Sequence, residues 1–105
     1  MLTEKDYCDY ETCVALKELG YDDVTHYNFN KDGVRTPRIP LYEAQKFLRE
    51  THNLHIEITY SPSCWTGKIY DLKEWDYIKG FTFFESFEDT LHTLIKEAVK
   101  ILKEK

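Results

Sequence analysis

The strongest constraint on this chain is an apolar stripe near its C-terminus. Phe87, Leu91, Leu94, Ile95, Ala98, Val99 and Leu102 recur at steps of three and four, which lines them up along one side of an α-helix. Ser86 stands where a hydroxyl can cap the first free amides, and Asp89, three residues on, is placed to reach back in the manner of a capping box. The lysines that close the chain suit the negative end of the helix dipole. A helix with one apolar side is stable only against a second layer, so the rest of the chain must supply that layer.

A change of period upstream supplies it. Ile56, Ile58 and Tyr60 alternate with Glu57 and Thr59, the pattern of a half-buried strand. Ser61-Pro62-Ser63 signals a turn, and Trp65 to Leu72 predicts the next strand, with Gly67 as a bulge or a point of close backbone approach. Alternation puts Ile69 and Tyr70 on opposite faces of that strand. A third strand is expected at Phe81 to Glu85, after a loop holding Trp75, Tyr77 and Gly80. Leu41, Ala44, Phe47 and Leu48 recur at helical spacing and predict a helix from just after Pro40 to His52-Asn53. Thr25 to Phe29 and Val34 to Thr36 flank Asn30-Lys31-Asp32-Gly33, which reads as a short hairpin. The first helix is expected to take Asp9 as N-cap and run to Leu19, with Gly20 at the left-handed position beyond its end. A chain of 105 residues suffices for one domain and one core. The expected fold is therefore a single α+β domain over residues 1–105, in the order α-β-β-α-β-β-β-α. Its antiparallel sheet combines a β-hairpin with a three-stranded meander, and the helices pack on one face.

Charge narrows the partners. The net charge of −5 opposes unassisted binding to a phosphate backbone, which depends on Lys and Arg releasing counterions. Residues 1–24 carry much of the acidic excess, whereas Arg35, Arg38, Lys46 and Arg49 make the segment 25–53 locally basic and are the candidate phosphate contacts. No apolar run approaches the ~20 residues that span a bilayer, and the polar, acidic N-terminus is unlike a secretory signal. Three cysteines at unrelated spacings imply free thiols, so a cytoplasmic location and no membrane are expected.

Candidate chemistry is sparse. Cys8 and Cys13, taken as helical neighbours, would lie roughly 140° apart, and no Cys or His pair at zinc spacing accompanies them, so no metal and no cofactor are expected. Cys64 with His55 is the nearest approach to a nucleophile and base, but no nucleophile elbow or Gly-rich loop surrounds it, and a small Cys-dependent hydrolase ranks below a non-enzymatic role. Aromatic residues, at 15% of the chain, are its distinctive feature. Tyr60, Trp65, Tyr70, Trp75 and Tyr77 are the candidate docking surface for a protein partner or a second copy of the chain. Core filling and cross-strand pairing compete for the same residues.

Two resemblances bear on this reading. The element order of residues 41–105 is similar to that of the double-stranded-RNA-binding domain, whose last helix opens with phosphate-binding lysines. Here Ser86-Phe87-Glu88-Asp89 would set acid against phosphate. The run Gln45-Lys46-Phe47-Leu48-Arg49-Glu50-Thr51-His52-Asn53-Leu54 and the later Phe87-Glu88-Asp89 resemble small proteins encoded on prophages and conjugative elements of gut anaerobes. Glu18-Leu19-Gly20-Tyr21 and Asn30-Lys31-Asp32-Gly33 match two further places of that family's pattern, while Leu41 stands where the family has Thr or Ser. The family carries no established activity, so the resemblance implies an accessory role for a mobile element and no catalytic residues. The function expected is thus a non-enzymatic interaction module, with weak nucleic-acid association through the basic residues as the alternative.

Overall fold

In the computed structural model, which describes residues 4–22, 28–31 and 34–104, the chain is an α+β domain with the expected element order. A single 3₁₀ turn, Glu4–Asp6, precedes α1 (Tyr10–Glu18); β1 (Asn28–Lys31) and β2 (Val34–Pro37) follow, then α2 (Leu41–His52), β3 (Leu54–Ser61), β4 (Cys64–Asp71), β5 (Asp76–Phe84) and α3 (Phe87–Lys103). The hairpin β1–β2 and the meander β3–β4–β5 hydrogen-bond as two separate antiparallel sheets. Residues 25–27 of the expected first strand, and the Asp32-Gly33 step of its turn, lie outside the described residues.

Helix ends follow their local chemistry. Asp9 Oδ1 accepts the Thr12 amide at 2.8 Å, as an N-cap should. At the other end of α1, Gly20 at φ +110° lets its own N–H reach Lys17 O and the Tyr21 N–H reach Leu16 O. That pair of bonds is the Schellman motif, and the burial of both Leu16 and Tyr21 supplies its usual apolar contact. α2 starts without a side-chain cap after Pro40 and stops at Asn53, whose φ of 58° is a left-handed conformation Asn tolerates. Ser86 Oγ accepts the Asp89 amide at 3.1 Å, and the Thr90 hydroxyl donates to Ser86 O at 2.7 Å.

The apolar stripe of α3 finds its layer on the meander. Leu91, Leu94, Ile95 and Ala98 are buried together with Leu54 and Ile56 of β3 and Ile69 of β4, and α3 touches all three strands as well as α1 and α2. Gly67 is where helix and sheet come closest. A methyl group there would run into the Leu94 side chain and stand 3.1 Å from Thr90 Cγ2, so the expected close approach is realised, and a bulge between strands β4 and β5 also falls between Trp65 and this glycine.

The third strand differs from expectation. β5 begins at Asp76 rather than Phe81, and the residues assigned to a loop, Tyr77 to Gly80, are paired with β4. Only Leu72 to Trp75 form the turn. Two register shifts give β5 one more residue than β4 between the pairs Trp65↔Phe84 and Gly67↔Phe81, and again between Ile69↔Lys79 and Tyr70↔Tyr77. Such bulges interrupt period-two alternation, which is why this strand does not read as one in the sequence.

Gly67→Ala should lower stability by about 1–3 kcal/mol, the usual range for overpacking a filled core. A double-mutant cycle in urea with Leu94→Ala checks the cause: the cost of Gly67→Ala should shrink when Leu94 is truncated.

Candidate functional site

Pairing register decides where the aromatic residues go. On β3 and β4, Leu54, Ile56, Ile58, Gly67 and Ile69 face α3, so Tyr60 and its cross-strand partner Trp65 lie on that same face. Tyr60 and Trp65 meet at 4.9 Å between ring centroids, and Trp65 meets Phe87, the first residue of α3, at 5.5 Å. This cluster joins one end of the sheet to the start of the helix. The five aromatic candidates therefore do not form one surface.

Tyr70 and Tyr77 belong to the opposite face. They are paired across β4 and β5 with ring centroids 6.0 Å apart, and His55 of β3 stacks on Tyr70 at 6.5 Å and 28° between planes. The result is a row of three rings across all three strands, beside the exposed side chains of Glu57, Thr59 and Lys68. His55 enters the sequence reading only as a base for Cys64 and not among the aromatic candidates, although the alternation of Glu57 and Thr59 already places it on this side. Tyr77 is 58% exposed.

The β4–β5 turn carries a further aromatic residue, Trp75. Asp71 Oδ1 accepts the amides of Lys73 at 2.9 Å and Glu74 at 3.3 Å, which fixes the turn from its first corner. Trp75 closes it at φ 58°, a left-handed conformation that costs a residue with a Cβ roughly 1–2 kcal/mol. Its indole is 90% exposed, so packing does not offset that cost.

No known protein family, curated protein or solved structure matches this chain.

The other candidate residues are dispersed. Arg38 lays its guanidinium over the Tyr7 ring, 4.5 Å from the centroid. Lys46 lines a shallow cleft of about 250 Å³ between the end of α1 and α2, together with Asp22, Glu43 and Glu50, so its charge sits among carboxylates. Arg49 is half-buried on α2, and Arg35 lies on β2 opposite Asn30. Cys64 and His55 do not meet. Cys64 pairs with Ser61 and His55 with Tyr70, which puts them about 20 Å apart along the ladder. His52 donates instead to the carbonyl of Leu19 at 2.9 Å. Among the described residues, no group of three or more His, Cys, Asp or Glu fit to hold a metal ion occurs, and no helix is long and apolar enough to cross a membrane.

Two titratable centres secure α1 on α3. The backbone N–H of Asp9 donates to His92 Nε2 at 3.2 Å, and the Asp9 carboxylate takes Lys96 Nζ at 3.0 Å. Burial pushes the His92 pKa below its ordinary value and Lys96 pushes it the same way, against Asp9 and Asp89. Burial also opposes ionisation of Asp9, but its hydrogen bonds from Thr12 and Lys96 prevail and bring it to about 2.

Both centres make the fold acid-sensitive. The unfolded chain protonates His92 first, so the stability from its neutral ring is present above 6.5 and is lost as pH falls through the lowered folded value. The Asp9 contribution is present above 3.8 and is lost as pH falls towards 2. Asp9 is well exposed, so solvent screening holds its ion pair to at most about 1 kcal/mol. The urea midpoint should therefore drop as pH falls below 6.5, and His92→Gln should abolish that step while keeping the one at lower pH.

Proposed function

We propose that the chain is a non-enzymatic protein-interaction module whose working surface is the open face of the meander, centred on Trp75, Tyr77 and Tyr70. The observation that carries this reading is Trp75: a large, almost fully exposed indole held in a turn position that favours Gly or Asn. Stability gains little from it there, whereas Trp and Tyr contribute disproportionately to interfaces. The mixed charge of Glu57, Lys68, Lys73 and Glu74 around the rings suits a protein partner better than a polyanion. The resemblance of the segment Gln45–Leu54 to mobile-element proteins supports an accessory role in a phage or conjugative element, with a host or phage protein as partner.

Trp75→Gly should leave the urea midpoint unchanged or raise stability by up to about 1 kcal/mol, because the left-handed position suits Gly. In a nuclease-treated pull-down, the full-length chain should retain a stoichiometric protein partner that Trp75→Ala loses and Tyr60→Ala keeps. Equal retention by all three forms would remove the open face from the mechanism. A signal that nuclease abolishes would replace the reading with nucleic-acid association.

A further inference from the structure

Cys8 and Cys13 are brought together by the start of α1. Cys8 precedes the N-cap Asp9 and so lies outside the helix, while Cys13 is the fourth residue within it. The 140° separation expected for two helical positions therefore does not apply. These are the two positions that pack on each other in a hydrophobic staple, and here both side chains are sulfhydryls buried from solvent. Cys13 Sγ lies 3.7 Å from Cys8 O, and each of the two thiols is the foremost influence on the ionisation of the other.

The surroundings treat the two sulfurs differently. Cys13 Sγ accepts the Ile39 N–H at 3.4 Å. The hydrogen bond from Cys8, that amide and the charge of Arg38 favour the Cys13 thiolate, against burial and Asp9. Cys8 is pushed the other way by its hydrogen bond to Cys13, by burial and by the charge on Cys13, so it keeps its proton. One sulfur is thus disposed to attack and the other to hold a proton in reserve.

We propose that Cys8 and Cys13 form a dithiol oxidised by hydroperoxides, in which Cys13 is the attacking sulfur and Cys8 the resolving thiol. The Cys13 thiolate attacks one oxygen of the hydroperoxide, the O–O bond breaks, and the departing oxygen leaves as an alcohol, or as water from hydrogen peroxide, after taking up a proton. Cys13 is left as a sulfenic acid. Cys8 then attacks that sulfur and gives up its proton. The S–S bond forms, the S–O bond breaks and water leaves, so that two thiols lose two electrons and the hydroperoxide gains them. A small oxidant reaches the pair when the N-terminal segment opens locally. That segment is held over the site by the Cys8 N–H to Ile39 O bond at 2.8 Å and by the Tyr7–Pro40 bridge.

The test uses the full chain carrying Cys64→Ser, so that the remaining, partly exposed thiol takes no part. After hydrogen peroxide treatment, intact mass measured without reductant should fall by two hydrogens, and dithiothreitol should restore it. With Cys8→Ser added, dimedone should label Cys13 after peroxide; with Cys13→Ser added instead, Cys8 should take no label. An unchanged mass under peroxide that oxidises Cys64 in the parent chain would overturn the proposal. So would labelling of Cys8 without Cys13 when Cys13 without Cys8 takes none. The intact-mass measurement leaves both cysteines in place, so it stays decisive if either serine variant fails to fold.

Discussion

The close approach of α3 to β4 at Gly67 is the contact on which the rest of this domain depends. α3 has one apolar side and cannot bury it alone, and the three-stranded meander has two faces of which one needs covering. Because Gly67 lacks a side chain, Leu94 and Thr90 settle directly against the strand, and Ile69 and Ile56 then close the layer from the sheet side. A side chain at that point would lift the helix and loosen each of these contacts together, since packed interiors leave little room to adjust.

Covering one face leaves the other to solvent, and that division sorts the aromatic residues. Trp65 shares the covered face and becomes a hinge pin between the sheet and the first residue of α3. Tyr70, one strand position away from the buried Ile69, is turned outward by the pleat, where it meets His55 and Tyr77. The tight turn after Asp71 leaves Trp75 with almost no protein contact of its own. The docking role proposed for this domain rests on that open, ring-bearing face.

The N-terminal third is tied to the same helix by polar contacts. Asp9 caps α1 with one carboxylate oxygen and binds Lys96 of α3 with the other, while its amide engages His92. One residue therefore joins a local helix start to a distant helix. The buried sulfurs of Cys8 and Cys13 lie directly beside this junction, so the chemistry proposed for them would act where α1 meets the body of the fold.

The three helices and their ends were legible in the sequence because helical periodicity, caps and left-handed stops are local. Asp9, Gly20, Asn53 and Ser86 act through backbone groups within a few residues of themselves. The alternation of Ile56 and Ile58 likewise marked β3, and the pleat set Ile69 and Tyr70 on opposite faces of β4, but which of the two turns outward was decided by the packing of α3. The extent of β5 did not follow, since its two bulges break the only local signal a strand has. Nor did the split of the five aromatics into two clusters, the separation of Cys64 from His55, or the meeting of Cys8 with Cys13. Each of these depends on a register or a chain reversal, set by which residues pair across the fold; one-dimensional spacing constrains such pairings only through the burial that the whole chain achieves together.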